Sequence, residues 1–203
     1  MAEKVKLPQA ETKGKVSVEE ALSKRQSHRM FSNKALTLEQ LTQILWSAQG
    51  TPQKGGMKRT APSAGATYPL EVFVAVGKGA VTGLEEGIYH YIPAEHALEQ
   101  TGEGDLRSKV SDAALGQEFL AQAPVAILIA ADYSRTKGRY GARGERYVHM
   151  EAGHVGQNVY LQAEALGLGT VAVGAFQDEQ VSKVFALPAN VEPLYLMPVG
   201  YAR

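Results

Sequence analysis

The 203-residue chain contains no cysteine. That excludes disulfide staples, thiol nucleophiles and cysteine-bound zinc or iron–sulfur centres, and it accords with a reducing cytoplasm, the expected location. Net charge is missing too, because 21 Lys and Arg balance 21 Asp and Glu. A balanced chain exerts no long-range pull on polyanions, so neither nucleic acid nor a membrane surface is an expected partner. Long apolar runs are also absent. The longest, residues 124–131, falls far short of the roughly 20 residues that span a bilayer. Met1-Ala2-Glu3-Lys4-Val5-Lys6 has no apolar stretch behind its charges, so no secretory signal is expected.

Several catalytic signatures are missing as well. There is no Gly-x-Ser-x-Gly elbow, no Gly-Lys-Ser/Thr ending to the glycine-containing stretch at 50–58, and no carboxylate pair suited to glycoside chemistry. His149 and His154 are spaced i, i+5 and face different sides of a helix, whereas a His-Glu-x-x-His zinc site needs i, i+4. No metal site is expected. The single tryptophan, Trp46, sits on an amphipathic helix and is read as core or dimer interface.

What remains is ordinary globular material, with 44% apolar and 21% charged residues over a length that suits one domain. Residues 1–15 carry Lys4, Lys6, Lys13 and Lys15 with little apolar periodicity, so 1–16 are expected to form a solvated arm ahead of a domain at 17–203. Ser17-Val18-Glu19-Glu20 and Thr37-Leu38-Glu39-Gln40 are capping boxes, which open a short helix to residue 24 and a longer one ended by Gly50. In the second helix Leu38, Leu41, Ile44 and Leu45 form one stripe. A loop follows over 50–66.

Strands are expected at 70–76 and 87–93. The continuous apolar run at 125–131 reads as a strand covered on both faces. Helices are expected at 105–115, with a further turn at 118–122, and at 145–166, the longest, capped by Gly167. A short strand at 170–173, a helix at 178–186 and a strand at 194–201 complete the chain. Without strict βαβ alternation the class is α+β.

Three segments carry candidate chemistry. In Arg25-Gln26-Ser27-His28-Arg29, an extended chain puts Arg25, Ser27 and Arg29 on one face, where two guanidinium forks and a hydroxyl suit an anion. In the run from Ala61 to Glu71, Pro62 and Pro69 restrict the backbone around small residues while Gly65 is free to take positive φ, so a flat ligand can approach main-chain N–H groups. In the run from Leu166 to Phe176, three glycines follow a helix, which implies tight turns or ligand contact but not a dinucleotide fingerprint. The basic cluster Arg135, Lys137, Arg139, Arg143 and Arg146, interleaved with glycines, is read as a mobile lid over an anionic ligand rather than a solvated loop.

In order and spacing, Arg25-x-Ser27-x-Arg29, Pro62-Ser63-Ala64-Gly65-Ala66-Thr67-Tyr68-Pro69-Leu70-Glu71, Glu151-Ala152-Gly153-His154, the segment 167–176 and Pro198-Val199-Gly200-Tyr201-Ala202-Arg203 resemble the nitroreductase-like FMN-dependent oxidoreductases. More narrowly they resemble the SagB-type dehydrogenase branch, which includes flavin subunits of azoline-forming peptide synthetases. The resemblance covers the chain from about residue 17 to its end.

It implies a flavoreductase fold with a central, mostly antiparallel sheet flanked by helices. It also implies an intertwined homodimer with FMN at the subunit interface, NAD(P)H as electron donor and a small organic acceptor. Carried over by position, Arg25, Gln26, Ser27 and Arg29 belong to the family's first flavin-binding segment and Arg203 is the C-terminal basic residue near the phosphate, with Arg25, Arg29 and Arg203 as candidates for phosphate or ring-oxygen binding. Pro62, Ser63, Ala64 and Gly65 form the loop that comes from the partner subunit onto the ring. Val173, Gly174 and Ala175 lie beside the ring edge. The flavin carries the chemistry in such sites, so no catalytic side chain is nominated beyond Tyr140 as a candidate proton donor.

Two departures narrow the reading. Val173 stands where many classical nitroreductases have Glu, and Arg139-Tyr140 stands where azoline oxidases have Lys-Tyr. Azoline oxidation and a non-catalytic flavin-binding module are the alternatives.

Overall fold

A computed structural model describes residues 4–52 and 58–203. Residues 1–3 of the expected arm and residues 53–57 of the expected 50–66 loop lie outside the described residues. In chain order the elements are β1 (Lys4–Lys6), α1 (Val18–Lys24), α2 (Leu38–Gln49), β2 (Leu70–Val76), β3 (Gly87–Ile92), β4 (Ala97–Glu103), α3 (Arg107–Ala113) and α4 (Phe119–Gln122). They continue with β5 (Val125–Ala131), α5 (Tyr133–Tyr140), α6 (Gly144–Ala165), β6 (Gly169–Thr170), α7 (Asp178–Val184) and β7 (Glu192–Gly200). The strands form one open antiparallel sheet in the order β1-β4-β3-β2-β5-β7-β6.

The apolar run in β5 explains the layering. All seven of its residues are buried. Alternation sends Val125, Ile127 and Ile129 to a core shared with α2 and α6, and Ala126, Leu128 and Ala130 to a second core under α3 and α7. Helices therefore cover both faces of the sheet. On α6, Val148, Ala152, Val155, Val159 and Ala163 recur at three- and four-residue intervals and face the first core. The same helix leaves Met150, Gly153, His154 and Gln157 exposed.

Thr37 and Gln40 close the expected capping box in both directions. At α1 only half of it forms: Ser17 Oγ accepts the Glu20 N–H at 3.1 Å, while the Glu20 carboxylate turns to Lys24 Nζ at 2.6 Å. The elements expected at 105–115, 170–173, 178–186 and 194–201 are present with shifted ends, the strand at 170–173 being confined to Gly169–Thr170 with Val173 bridging to Leu196.

Two expectations are corrected. The described part of the N-terminal arm is docked, not solvated. Lys4, Val5 and Lys6 pair with Glu99, Leu98 and Ala97, Leu7 is buried, and Gln43 exchanges hydrogen bonds with the Glu11 backbone at 2.9 and 3.0 Å. The reason is β4, a strand missing from the sequence reading, whose edge offers unpaired backbone groups that β1 covers. The basic cluster at 135–146 is not a loop lid. Asp132 caps α5 by accepting the Ser134 N–H at 3.0 Å, Arg135 pairs with Glu71 and Asp132, and the segment is helical through Tyr140.

Candidate functional site

The candidate residues fall into two clusters. The first is built where α1 ends. Arg25 caps α1 with its own N–H bound to Ala21 O, and the next residues run beside the segment after α6. Ser27 forms a parallel bridge with Thr170, and the His28 N–H donates to Thr170 O at 2.9 Å. Tyr160 of α6 cements the junction. Its hydroxyl lies 2.9 Å from Ser27 Oγ and accepts the Ala172 N–H at 2.8 Å, while the Arg25 guanidinium sits over its ring at 5.2 Å. Glu164, one turn further along α6, accepts the Gln26 N–H at 3.4 Å and lies 3.8 Å from His28 Nε2.

The C-terminus joins the same cluster. Phe31 bridges Ala202, Ser32 N–H donates to Tyr201 O at 2.9 Å, and Arg203 N–H donates to Met30 O at 3.1 Å. Arg25, Arg29 and Arg203 are thereby gathered on neighbouring backbone, and none has a carboxylate partner among the described residues.

The second cluster is the 61–68 loop. Pro62 and Gly65 are exposed, Ser63 and Ala64 half-buried. The backbone is left-handed at Gly65 (φ 59°), Ala66 (φ 54°) and Tyr68 (φ 45°). Only the first is a glycine, so the other two carry strain that surrounding contacts must hold. Helix α5 supplies much of that hold. Arg139 Nη1 donates to Gly65 O at 3.0 Å, Arg135 Nη1 to Tyr68 O at 3.0 Å, and the Thr67 and Thr136 hydroxyls lie 2.8 Å apart. A Cβ on Gly65 would meet the Tyr140 hydroxyl at 2.5 Å, which places the candidate proton donor directly against this loop.

Beneath the loop Glu151 of α6 is buried, and burial pushes its carboxyl up to about 7 against the opposing pulls of the Ser63 hydroxyl and Arg59. Burial likewise lowers the Arg59 guanidinium.

The structure thus joins Arg25, Gln26, Ser27, Arg29 and Arg203 with the segment leading to Val173, whose side chain is buried while Gly174 and Ala175 are exposed. It does not join these to Pro62, Ser63, Ala64 and Gly65 within one protomer. The two clusters attach to α6 around Tyr160 and Glu151, nine positions apart, or about 13 Å along a helix axis.

Sequence reasoning missed Tyr160 and the role of Glu151. Nothing local distinguishes Tyr160. Glu151 carried a signal, a carboxylate set on the buried stripe between Val148, Ala152 and Val155.

Comparison with known proteins follows this geometry. The family model described as the nitroreductase family matches residues 22–201. A nitroreductase-type protein of Methanocaldococcus jannaschii is 48% identical over 196 residues, covering 97% of this chain and 95% of that protein. The microcin B17-processing protein McbC of Escherichia coli is 29% identical over 169 residues, 81% of this chain and 62% of its own length. Among solved structures, a nitroreductase-type protein of Ralstonia eutropha superimposes with a TM-score of 0.85 at 31% identity, over 98% of this chain and 90% of that one.

Proposed function

Because this chain belongs to the nitroreductase family, with relatives in its SagB-type branch, we propose that it is an FMN-dependent oxidoreductase that moves electrons from NAD(P)H to a small organic acceptor. The observation that supports the reading is that the backbone segments carrying Arg25, Arg29 and Arg203 lie side by side, with none of the three paired to a carboxylate among the described residues. A dianionic phosphate monoester fits that donor set, and the Gln26 and Ser27 side chains add polar contacts beside it. Flavin supplies hydride acceptance and release when bound.

The chain's own residues bind, orient and exclude water. Val173, Gly174 and Ala175 leave room at the ring edge, since a Cβ on Gly174 would find its nearest neighbour, Tyr195, at 3.8 Å. Pro62, Ser63, Ala64 and Gly65 present a small-residue loop to the ring of the partner's site. Separation of the two clusters within one protomer supports this homodimer. So do the apolar side chains left exposed near them, Met150 on α6, Val18 and Leu22 on α1, and Met30.

Azoline oxidation is the second reading, favoured by the likeness to McbC and by the Tyr140 hydroxyl at Gly65. It ranks lower because Arg139 replaces the lysine of that branch. A guanidinium does not give up its proton at working pH, and this one is engaged with Gly65 O.

The test is a visible spectrum of the purified, dialysed protein, followed by anaerobic NADH or NADPH. A yellow protein that bleaches is the expected result. A yellow protein that stays oxidised moves weight to the azoline reading or to a binding module. A colourless protein that takes up no FMN overturns the proposal.

A further inference from the structure

The function proposed above leaves a charged cluster at the exit of the 61–68 loop without a task. Its centre is Arg135 of α5, whose guanidinium joins three parts of the chain at once. Nη1 donates to Tyr68 O at 3.0 Å, Nη2 donates to Glu71 Oε1 on β2, and Nε lies 3.4 Å from Asp132 Oδ2 at the cap of α5. Each carboxylate is itself held. Glu71 Oε2 lies 2.7 Å from His90 Nε2 on β3, and the His90 ring is stacked on Phe73 at 4.4 Å. Asp132 Oδ2 accepts from Asn190 Nδ2 at 2.9 Å, and Asp132 Oδ1 accepts from the Ser134 N–H and hydroxyl. Both carboxylates are largely shielded from water, while Arg135 is more open.

What Arg135 grips is strained backbone. Tyr68 is left-handed (φ 45°) although it is not glycine. It also precedes Pro69, whose ring pushes the residue before it towards extended backbone. Such a conformation persists only where its surroundings over-determine it. The next carbonyl is tied as well, since Pro69 O accepts the Asp132 N–H at 2.9 Å. Two consecutive carbonyls are thus fastened to the start of α5, directly after the left-handed residues Gly65 and Ala66.

We propose that Glu71 is a positioning residue: acting through Arg135, it fixes the Tyr68 carbonyl and so holds the loop that contains residues 62–65 in the shape that meets the flavin ring. The inference rests on the flavin reading above. An ion pair between free surface side chains contributes little, because both must be ordered to make it. Here the carboxylates are already fixed by His90 and Asn190. They set the plane of the guanidinium and leave Nη1 aimed at Tyr68 O. Without Glu71 the guanidinium loses the partner that ties it to β2. Lysine cannot take its place, since one ammonium nitrogen does not serve three acceptors arranged around a fork.

The test is titration of riboflavin, and of FMN, into the flavin-free full-length protein by fluorescence quenching, with thermal melts to verify folding. Riboflavin lacks the phosphate and reports the ring end alone. Glu71→Ala and Arg135→Ala are each expected to weaken riboflavin about tenfold and FMN by the same factor. Both are expected to change the visible circular dichroism of bound FMN, which reports the surroundings of the ring. Because Glu71 acts through Arg135, the double variant is expected to bind within about twofold of Arg135→Ala.

Riboflavin affinity within about twofold of the unaltered protein in either single variant overturns the proposal. So does unchanged circular dichroism, or a double variant weakened by the product of the two single effects. Should Glu71→Ala not fold, Arg135→Lys decides. It is expected to bind riboflavin as weakly as Arg135→Ala, and binding like the unaltered protein means that the fork is not needed and the proposal fails. If neither flavin binds the unaltered protein, the flavin reading has failed and this inference with it. Flavin binding that is indifferent to these substitutions is failure of the inference alone.

Discussion

The two candidate clusters are built in opposite ways. At the end of α1 the backbone is relaxed and pinned by bridges, Ser27 to Thr170 and Phe31 to Ala202, while its arginines stand free of carboxylates among the described residues. At 61–68 the backbone itself is strained, and side chains of α5 are spent restraining it: Arg135, Thr136 and Arg139. The contrast follows from what each would recognise. Charge is read by side chains, which need only a steady base. A flat ring is read by backbone at close range, so there the backbone needs the support.

The comparison breaks most severely at Gly65. Gly65→Val adds a branched Cβ where φ is 59° and where Tyr140 and Arg139 already stand within 3.0 Å. A loss of about 3 kcal/mol or more is expected, with loss of flavin, measured by denaturant unfolding and cofactor content.

Glu151→Gln comes next, in the opposite direction. The folded carboxyl titrates near 7 and the unfolded one near 4.5, so the native state binds more protons between those values. Stability is therefore fully present below about pH 4.5 and falls as pH rises through 7. The variant should exceed the unaltered protein by roughly 2–3 kcal/mol at pH 8 and lose that advantage towards pH 4.5, as urea unfolding at several pH values will show.

Arg25→Ala sharpens the contrast from the other side. Flavin retention should weaken about tenfold or more for FMN and little for riboflavin, with fold stability changed by less than about 1 kcal/mol. An unchanged FMN occupancy would remove Arg25 from the site. Tyr160→Phe is the mildest. It deletes the hydroxyl linking Ser27 to the Ala172 N–H, so about 1 kcal/mol of stability and a small part of FMN affinity should go, by unfolding and titration.

Much of the architecture was legible because its signals are local. The stripe on α2, the apolar run of β5 and the long period of α6 each announce a buried face within one element. β4 and α5 were not legible. β4 is apolar mainly at Ala97 and Leu98 before turning polar, since much of its length faces water, and α5 is a charged, glycine-containing helix that depends on its Asp132 cap and on Glu71 from another strand. The docked arm was hidden for the same reason, as its pairing partners in β4 lie 91 to 95 residues away in the chain and its own three-residue strand has no periodicity to read.

By itself, then, the sequence determined the class of the fold and singled out the candidate segments at 25–29 and 62–65, since side-chain chemistry and hydrophobic period are local properties. Only the tertiary structure decided that Arg203 lies beside the segment holding Arg25 and Arg29, that Tyr160 welds Ser27 to the 170–173 segment, and that a carboxyl oxygen of Glu151 is buried without a partner among the described residues. Those are matters of proximity between distant parts of the chain, and of what burial does to a carboxyl, and both exist only once the sheet and its helices have closed around them.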